Sequence, residues 1–213
     1  MYLPAHFAED RVEVLHALMR EHPFATLASR AGDGLMADHL PLQLSSDGTR
    51  LLGHVARANP LWKATAGQEV LVIFHGPQAY VSPSWYPSKH ENGKAVPTWN
   101  YVVVHARGRL TAIDDAQRLR TLLEDLVDRH EGEFALPWQV SDAPPDYIEK
   151  MLGAIVGIEI TIAALQGKWK TSQNQPAANR AGVVAGLSQR SMANADDMAA
   201  LVAATLTDTG APQ

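Results

Sequence analysis

The sequence contains no cysteine among its 213 residues. Disulfide bonds, thiolate metal sites and a cysteine nucleophile are therefore excluded. The nine histidines do not form a recognisable metal motif either, because His90 and His130 are each followed by Glu but lack the second His of H-E-x-x-H. We therefore expect no metal site.

The chain also lacks an excess of positive charge and any long apolar run. Its net charge is −5, so no overall basic field would draw it to nucleic acid or to an anionic membrane. No helix–turn–helix pattern is evident, so neither charge nor motif supports direct DNA reading. No run of 18 apolar residues and no secretory pattern is present, so we expect no membrane span and a cytoplasmic location.

Apolar patterning predicts about seven short strands, with helices at the start, middle and end of the chain. The predicted strands are residues 24–29, 35–44, 51–56, 69–75, the two segments on either side of a loop at 87–97, and 155–162. The predicted helices are residues 9–21, 59–67, 114–130, 145–152, 178–187 and 194–205. Gly76-Pro77 is interpreted as a turn. The expected fold class is mainly β with flanking α, a closed antiparallel barrel decorated by helices.

The chain is long enough for one sizeable core with a small appendage. We expect one domain over residues 1–187, followed by an Ala-rich C-terminal helix and a frayed tail over residues 188–213.

Residues 80–109 concentrate aromatic side chains around the predicted loop at 87–97. The stretch holds two of the five Trp and three of the five Tyr. A loop of about a dozen residues is too long for a tight hairpin and is more typical of a functional loop. Aromatic rings, hydroxyls and an amide at strand ends suit a flat ligand with a polar edge. The alternative is a core hairpin whose aromatic rings only pack.

Two further segments have the chemistry of an anion site. Arg57 precedes Asn59-Pro60, a favoured start for a helix, so a phosphate could meet a guanidinium and free backbone N–H groups there. The alternative is an ordinary helix cap with a surface Arg. Residues 168–174 (KWKTSQN) place two Lys around a Trp on a predicted polar loop, which suits phosphate and a ring edge; the alternative is a solvated loop.

In their order along the chain, these segments resemble the PaiB family, described as FMN-binding negative transcriptional regulators built on the FMN-binding split barrel. The resemblance extends to about residue 187, with Thr171 standing where the family pattern has Leu. The matching blocks are MYLPAHF at 1–7, HPFATL at 22–27, HLPL at 39–42, GHVARANP at 53–60, FHGPQAYVSPSWYP at 74–87, VPTWNY at 96–101, VHA at 104–106, GKWK at 167–170 and SQN at 172–174.

The resemblance implies an antiparallel, Greek-key-like split barrel and a homodimer with FMN at the subunit interface. Each FMN site would draw residues from both chains, and the loop at 87–97 would act as a flap over the flavin. The implied phosphate contacts are Arg57 and Asn59, helped by Lys168 or Lys170. The implied ring contacts are Ser82, Trp85, Thr98, Trp99 and Asn100. Further contacts are expected from His54 and Gln173.

Three functions remain open at this point. A flavin-binding regulator would repress genes, by DNA contact as the family description allows or through a protein partner. An FMN-dependent oxidoreductase or flavin reductase would use the redox chemistry of the cofactor, since no residue stands out as an acid or a base. A haem-binding split barrel with a His axial ligand is the third alternative.

Overall fold

The computed structural model describes residues 1–32, 34–190 and 193–207. Eight strands lie in one sheet in the order β3-β2-β6-β7-β8-β5-β4, and β1 also pairs with β8. The pairs β1–β8, β2–β3, β2–β6, β4–β5 and β5–β8 are antiparallel. The strands are β1 (Ala8–Glu9), β2 (Phe24–Ala31), β3 (Gly34–Pro41), β4 (Gln43–Leu44), β5 (Arg50–Ala56), β6 (Glu69–Val81), β7 (Thr98–Ile113) and β8 (Ile155–Lys170).

In the part of the chain that the structure describes, seven α-helices connect or flank the strands, so the mainly β class with flanking helices is confirmed. They are α1 (Val12–Glu21), α2 (Leu61–Ala64), α3 (Pro87–Asn92), α4 (Ala116–Glu131), α5 (Pro145–Gly153), α6 (Ala177–Ser188) and α7 (Ala195–Thr207). Within the described residues, no helix is long and apolar enough to cross a membrane.

The chain divides into two compact units, and the long strands β6, β7 and β8 each contribute residues to both. The first unit comprises the described residues of Met1–Leu15, His75–Val104 and Gln166–Gln213. Helices α6 and α7 pack there through Val183, Leu187, Met198 and Val202, together with Val81 at the end of β6. Because these side chains are almost fully buried, both C-terminal helices belong to this core. The predicted division at residue 187 stays a prediction, and the predicted frayed end at 208–213 lies outside the described residues.

The second unit comprises the described residues of His16–Phe74 and His105–Leu165. Its strands alternate buried and exposed side chains, as in β7, where Ala106 and Leu110 are buried and Arg107 and Arg109 are exposed. This two-residue period is what a sheet with one face in a core requires. A separate cluster under α4 and α5 is formed by Ile113, Leu119, Leu122, Leu126, Val140, Ile148 and Leu152.

Two local predictions are wrong. Gly76-Pro77 is not a turn, because β6 runs through it from Glu69 to Val81. The buried positions change from 70, 72 and 74 to 77, 79 and 81, so the dipeptide marks a shift of one residue in the strand's alternation instead of its end. Lys168 and Lys170 do not lie on a loop, because β8 continues to Lys170 and its Lys168 pairs with Ala8 of β1.

Candidate functional site

A polar cavity of about 230 Å³ opens in the first unit, where β7 begins and β8 ends. Two lysines border it, and no Asp or Glu is found among the described residues that line it. A chain with a net charge of −5 therefore has a locally cationic cavity, which suits an anion or a group rich in carbonyl oxygens. The lining residues are Tyr86, Ser88, Lys94, Ala95, Val96, Pro97, Thr98, Asn100, Lys170, Ser172, Asn174, Gln175 and Asn179.

Three of the predicted site residues, Thr98, Asn100 and Lys170, meet at this cavity. Thr98 and Asn100 are two residues apart on β7 and therefore point to the same face of the sheet. Lys170 is the last residue of β8, and its Nζ donates to Thr98 Oγ1 over 2.6 Å. The ammonium group has further protons to donate, so the pair can hold an acceptor atom of a ligand.

Ser172 forms the floor of the cavity with Asn100. Asn100 is fully buried and donates its amide to Ser172 Oγ at 2.9 Å, while Ser172 Oγ lies 3.3 Å from Asn100 Oδ1. Ser172 has φ of +62°, a left-handed conformation that is uncommon for a residue with a side chain. Strained backbone of this kind persists only where the surroundings enforce it, and it is concentrated at ligand sites.

Tyr86 lies against the same floor. Burial raises the pKa of its phenol, and a hydrogen bond with Ser172 partly opposes that shift. The phenol is therefore protonated at neutral pH and borders the cavity as a potential donor.

The predicted loop at 87–97 is partly helical and is tied down at one end. Its first part is α3, which is followed by Gly93 in a left-handed conformation. Ser88 of α3 accepts from Asn179 of α6 at 2.9 Å, and Asn179 also contacts Gln175. The remaining residues, 94–97, follow the cavity rim. The predicted flap thus has an anchored helical half and a short rim segment.

Ser82 and Trp85 have other contacts and do not line the cavity. Ser82 accepts from Ser84 N and caps a 3₁₀ turn over Pro83–Trp85. The Trp85 indole lies against α6 at Gly186, and its backbone carbonyl approaches Gly182. Glycine at both helix positions is what allows this close approach.

Trp99, Lys168 and Gln173 also lie in the first unit but do not line the cavity. Trp99 points to the exposed face of β7 and donates to Gln78 at 3.1 Å. Lys168 is buried, donates to the Tyr2 carbonyl at 3.1 Å and lies over the Tyr2 and Tyr101 rings.

Gln173 is used by its own segment. Its Oε1 accepts from Thr171 N at 2.8 Å, and its Nε2 donates to the Trp169 carbonyl. The side chain therefore stabilises the turn that carries Ser172.

The remaining predicted residues, His54, Arg57 and Asn59, belong to the second unit. Arg57 donates to the Gly153 carbonyl at 2.7 Å, to Asp114 Oδ1 at 2.7 Å and to the Ile155 carbonyl at 3.0 Å. The guanidinium thus connects β5 to the start of β8, and its Asp114 partner is exposed enough to move away.

Asn59 and His54 have local partners of different kinds. Asn59 accepts from Leu61 N at 2.8 Å, just before α2, and donates to Asp38 at 2.7 Å. Helix α2 has only four residues, so its dipole is small. His54 is half-buried, and desolvation lowers its pKa.

Sequence reasoning missed Tyr86, Ser88, Ser172 and Asn179 as lining residues. Tyr86 and Ser172 lie inside the matching blocks, next to residues that were selected, and a search for hydroxyls beside the chosen amide could have found them. Ser88 lies in the predicted flap but was not selected individually. Its pairing with Asn179 joins positions 91 residues apart, so no local pattern could reveal it.

The cavity fits part of FMN. The Lys170 ammonium, the Thr98 and Ser172 hydroxyls and the Asn100 amide suit the flavin's polar groups, which are ring carbonyls, ribityl hydroxyls and a phosphate. Its volume of about 230 Å³ is below the range of roughly 300–1,000 Å³ that encloses whole small-molecule ligands. This cavity can therefore enclose one polar portion of the cofactor.

Comparisons with known proteins identify the relatives of this chain. The family model described as "Putative FMN-binding domain" matches residues 1–164. The protein AN0679 of Emericella nidulans is 37% identical over 225 residues, covering 87% of this chain and 90% of that protein. The protease synthase and sporulation protein PAI 2 of Bacillus subtilis is 33% identical over 207 residues, covering 95% of this chain and 96% of the relative.

The fold itself recurs in flavin-binding split-barrel proteins. The flavocytochrome Anf3 of Azotobacter vinelandii superposes with a TM-score of 0.56 at 18% identity, covering 76% of this chain and 69% of that one. At this identity the likeness shows the shared fold, and the sequence relatives show the family. The chain therefore belongs to the PaiB family of FMN-binding split-barrel proteins, and FMN is its cofactor.

Proposed function

We propose that the chain is a flavin-binding regulator that acts as a homodimer, with each FMN drawing on residues of both subunits. The observation that carries this proposal is the cationic cavity at Lys170, which has the donors for FMN but too little volume to enclose it. A second copy of the chain would supply the rest of the site. Measuring the molar mass in solution by light scattering tests this part, and a monomer that retains FMN would contradict it.

Within such a site, two sets of residues would bind different portions of FMN. Lys170, Thr98 and Asn100 would contact the polar edge of the isoalloxazine ring, where a fixed cation and neutral donors can pair with ring oxygens and nitrogens. Arg57 and Asn59 would bind the phosphate, with Arg57 exchanging its Asp114 partner for the ligand. When bound, FMN supplies one- and two-electron redox chemistry.

Comparing FMN with riboflavin tests this assignment, because riboflavin lacks the phosphate. Lys170→Ala should weaken both ligands alike, by about 1.5–3 kcal/mol or roughly 10- to 150-fold. Arg57→Ala should weaken FMN by a similar factor and leave riboflavin unchanged. Arg118→Ala, which removes an exposed guanidinium from the same unit, is the matched control and should change neither. If Arg57→Ala leaves FMN affinity unchanged, the phosphate lies elsewhere.

The regulatory role is supported by family membership and by the near full-length similarity to the Bacillus subtilis sporulation protein. The net charge of −5 favours regulation through a protein partner over direct DNA contact. Deleting the gene should alter transcript levels. The wild-type gene should restore them, and a Lys170→Ala/Arg57→Ala variant should not. Restoration by this variant would separate regulation from FMN, and a specific DNase footprint would contradict the partner route.

A second candidate is an FMN-dependent oxidoreductase or flavin reductase, and Tyr86 is the observation that favours it. Its buried phenol stays protonated at neutral pH and borders the cavity, so it could donate a proton to a reduced ligand. Steady-state oxidation of NADH and NADPH by the FMN-loaded protein, with several electron acceptors, tests this function. If the protein shows no turnover, or turnover that Tyr86→Phe leaves unchanged, the role proposed here for Tyr86 is wrong.

A further inference from the structure

Several large apolar side chains are exposed in the second unit, in the segment between α4 and α5. Every side chain from 132 to 139 is exposed, and in this segment Phe134 is 61%, Leu136 92% and Trp138 42% accessible. Large apolar side chains scattered singly over a surface are ordinary, but three within five residues of the chain are a local concentration. Exposed apolar side chains that are grouped in this way are typical of sites that bind other proteins.

The segment is held in a defined conformation. Glu131 anchors it at one end, accepting from Phe134 N at its backbone carbonyl (2.9 Å) and from Trp138 N at its carboxylate (3.0 Å). At the other end, Gln139 and Asp142 form a reciprocal capping box. A surface whose backbone is already ordered loses less conformational entropy on binding than a disordered one.

Helix α5 adds a second exposed apolar row. Tyr147 and Met151 are four residues apart and so lie on the same helix face, with 53% and 38% of their surfaces accessible. Ile148 and Leu152, on the adjacent face, are buried in the cluster with α4. The helix therefore exposes apolar side chains that its own core does not need.

The charge around these side chains is strongly negative. Residues 124–151 contain eight acidic and two basic residues, a net charge of −6, whereas the whole chain carries −5. One of the two basic residues, Arg129, donates to the Arg20 carbonyl. Seven of the acidic residues are exposed, namely Glu124, Asp125, Asp128, Glu133, Asp142, Asp146 and Glu149.

We propose that Phe134, Leu136, Trp138, Tyr147 and Met151 form a docking surface for a segment of another protein that combines basic and apolar side chains. The apolar and aromatic residues would supply the contact that holds the partner, since exposed aromatic side chains dominate binding energy at interfaces. The acidic residues around them would attract and orient a Lys- or Arg-rich segment. We call these five residues the acidic-rim surface.

A second copy of the chain is a poorer occupant. A twofold dimer uses the same patch on both subunits, so exposed carboxylates such as Glu133 and Glu149 would meet the same negative groups of the other subunit. The acidic-rim surface also shares no residue with the polar cavity, so binding of a partner there can be tested independently of FMN binding.

Fluorescence anisotropy with two labelled helical peptides tests the proposal. One peptide carries Lys on its polar face and Leu and Trp on the other, and its counterpart has Glu in place of every Lys. We expect saturable binding of the Lys peptide to the FMN-loaded protein and at least tenfold weaker binding of the Glu peptide. Leu136→Ser/Trp138→Ser should weaken the Lys peptide by at least tenfold, and Glu133→Lys/Glu149→Lys should weaken it severalfold.

Leu35→Ser is the matched control, because Leu35 is equally exposed (83%) but lies on β3. Equal binding by the control and the Leu136→Ser/Trp138→Ser variant would overturn the proposal, as would equal affinity for the two peptides. Sedimentation velocity tests whether a second copy of the chain occupies the surface instead. If Leu136→Asp dissociates an oligomer of the free protein, the surface joins two copies of this chain and the proposal is wrong. Thermal melts of each variant identify any loss of folding. If the Leu136→Ser/Trp138→Ser variant unfolds, the Glu133→Lys/Glu149→Lys variant still tests the surface, because it alters only exposed charges.

Discussion

Replacing Gly186 by Ala should destabilise the protein, although alanine is the better helix former. A Cβ at Gly186 would lie 2.5 Å from Cγ of the Trp85 indole and closer still to two other ring atoms. Trp85 is partly buried and packs against the core cluster of α6 and α7, so a shift of its ring would disturb that packing. Inserting a methyl group into packed surroundings costs about 1–3 kcal/mol, whereas Gly→Ala in a helix gains about 1 kcal/mol.

The overlap with several ring atoms puts the cost near the upper end of that range, so we expect a net loss of about 2 kcal/mol. For a chain of this size the melting temperature should fall by roughly 4–8 °C. Chemical denaturation and circular dichroism melts measure the effect. Gly153→Ala is the control, because this glycine ends α5 and a Cβ added to it would meet no atom within 4 Å; this variant should be neutral or slightly more stable.

A double-mutant cycle identifies the cause. In a Trp85→Ala background the ring is gone, so Gly186→Ala should become neutral or stabilising by up to about 1 kcal/mol. Gly182→Ala should remain destabilising there, because its Cβ would overlap the backbone carbonyl of residue 85. A Gly186→Ala protein as stable as the wild type would refute the packing role assigned to Trp85.

Three further outcomes are expected. Desolvation lowers the pKa of His54 below 6.5, so the unfolded chain binds the proton at a higher pH than the folded protein does, and the free energy of unfolding should decrease as the pH falls below 6.5. Denaturation between pH 7 and 5 should show a smaller decrease for His54→Gln than for the wild type. A hydrogen bond from Ser45, with further ones from Thr49, lowers the pKa of Asp47 to about 2, so the stabilisation by its carboxylate should be present above pH 3.8 and lost as the pH falls towards 2. Asp47→Asn should therefore have a lower free energy of unfolding than the wild type only above that window, and a loss of stability that persists in acid would contradict this account. Ser172→Ala should lower the free energy of unfolding by about 1–3 kcal/mol, measured by urea denaturation, because it leaves the buried Asn100 amide without its partner. An unchanged midpoint would show that the amide finds another hydrogen-bond partner.

The parts of the fold that could be predicted from sequence are those in which a repeating apolar pattern has a local cause. Helix α4 follows from leucines at helical spacing behind an acidic cap, although the cap is Asp115 and the prediction began one residue earlier. Strand β6 was predicted as two elements, because Gly76-Pro77 is a turn signal when only its neighbours are considered. Pairing with other strands overrides that signal. Because this pairing joins residues that are far apart in the sequence, it could not be predicted from the residues around Gly76-Pro77.

Part of the chemistry of the candidate cavity could be predicted from sequence, but the contacts of individual residues could not. The motif around Thr98 and Asn100 contains two residues that line the cavity, and Lys170 came from a basic segment far along the chain. Trp85 lies in an equally suggestive motif, yet its ring faces two glycines on α6. The hydrogen bond from Lys168 to the Tyr2 carbonyl likewise depends on where the chain's first residues fold. A residue type shows what a side chain can bind, whereas the fold determines which partner it meets.

The structure also changes how the C-terminal region is interpreted. The family match ends at residue 164, but Lys170, Ser172, Asn174, Gln175 and Asn179 all line the cavity. Asn179 of α6 holds the helical half of the rim through Ser88, and α7 packs against α6 in the same core. Because α6 contacts both Trp85 and Ser88, variation in this Ala-rich region should act on the polar cavity through its rim. Both C-terminal helices therefore support the candidate site.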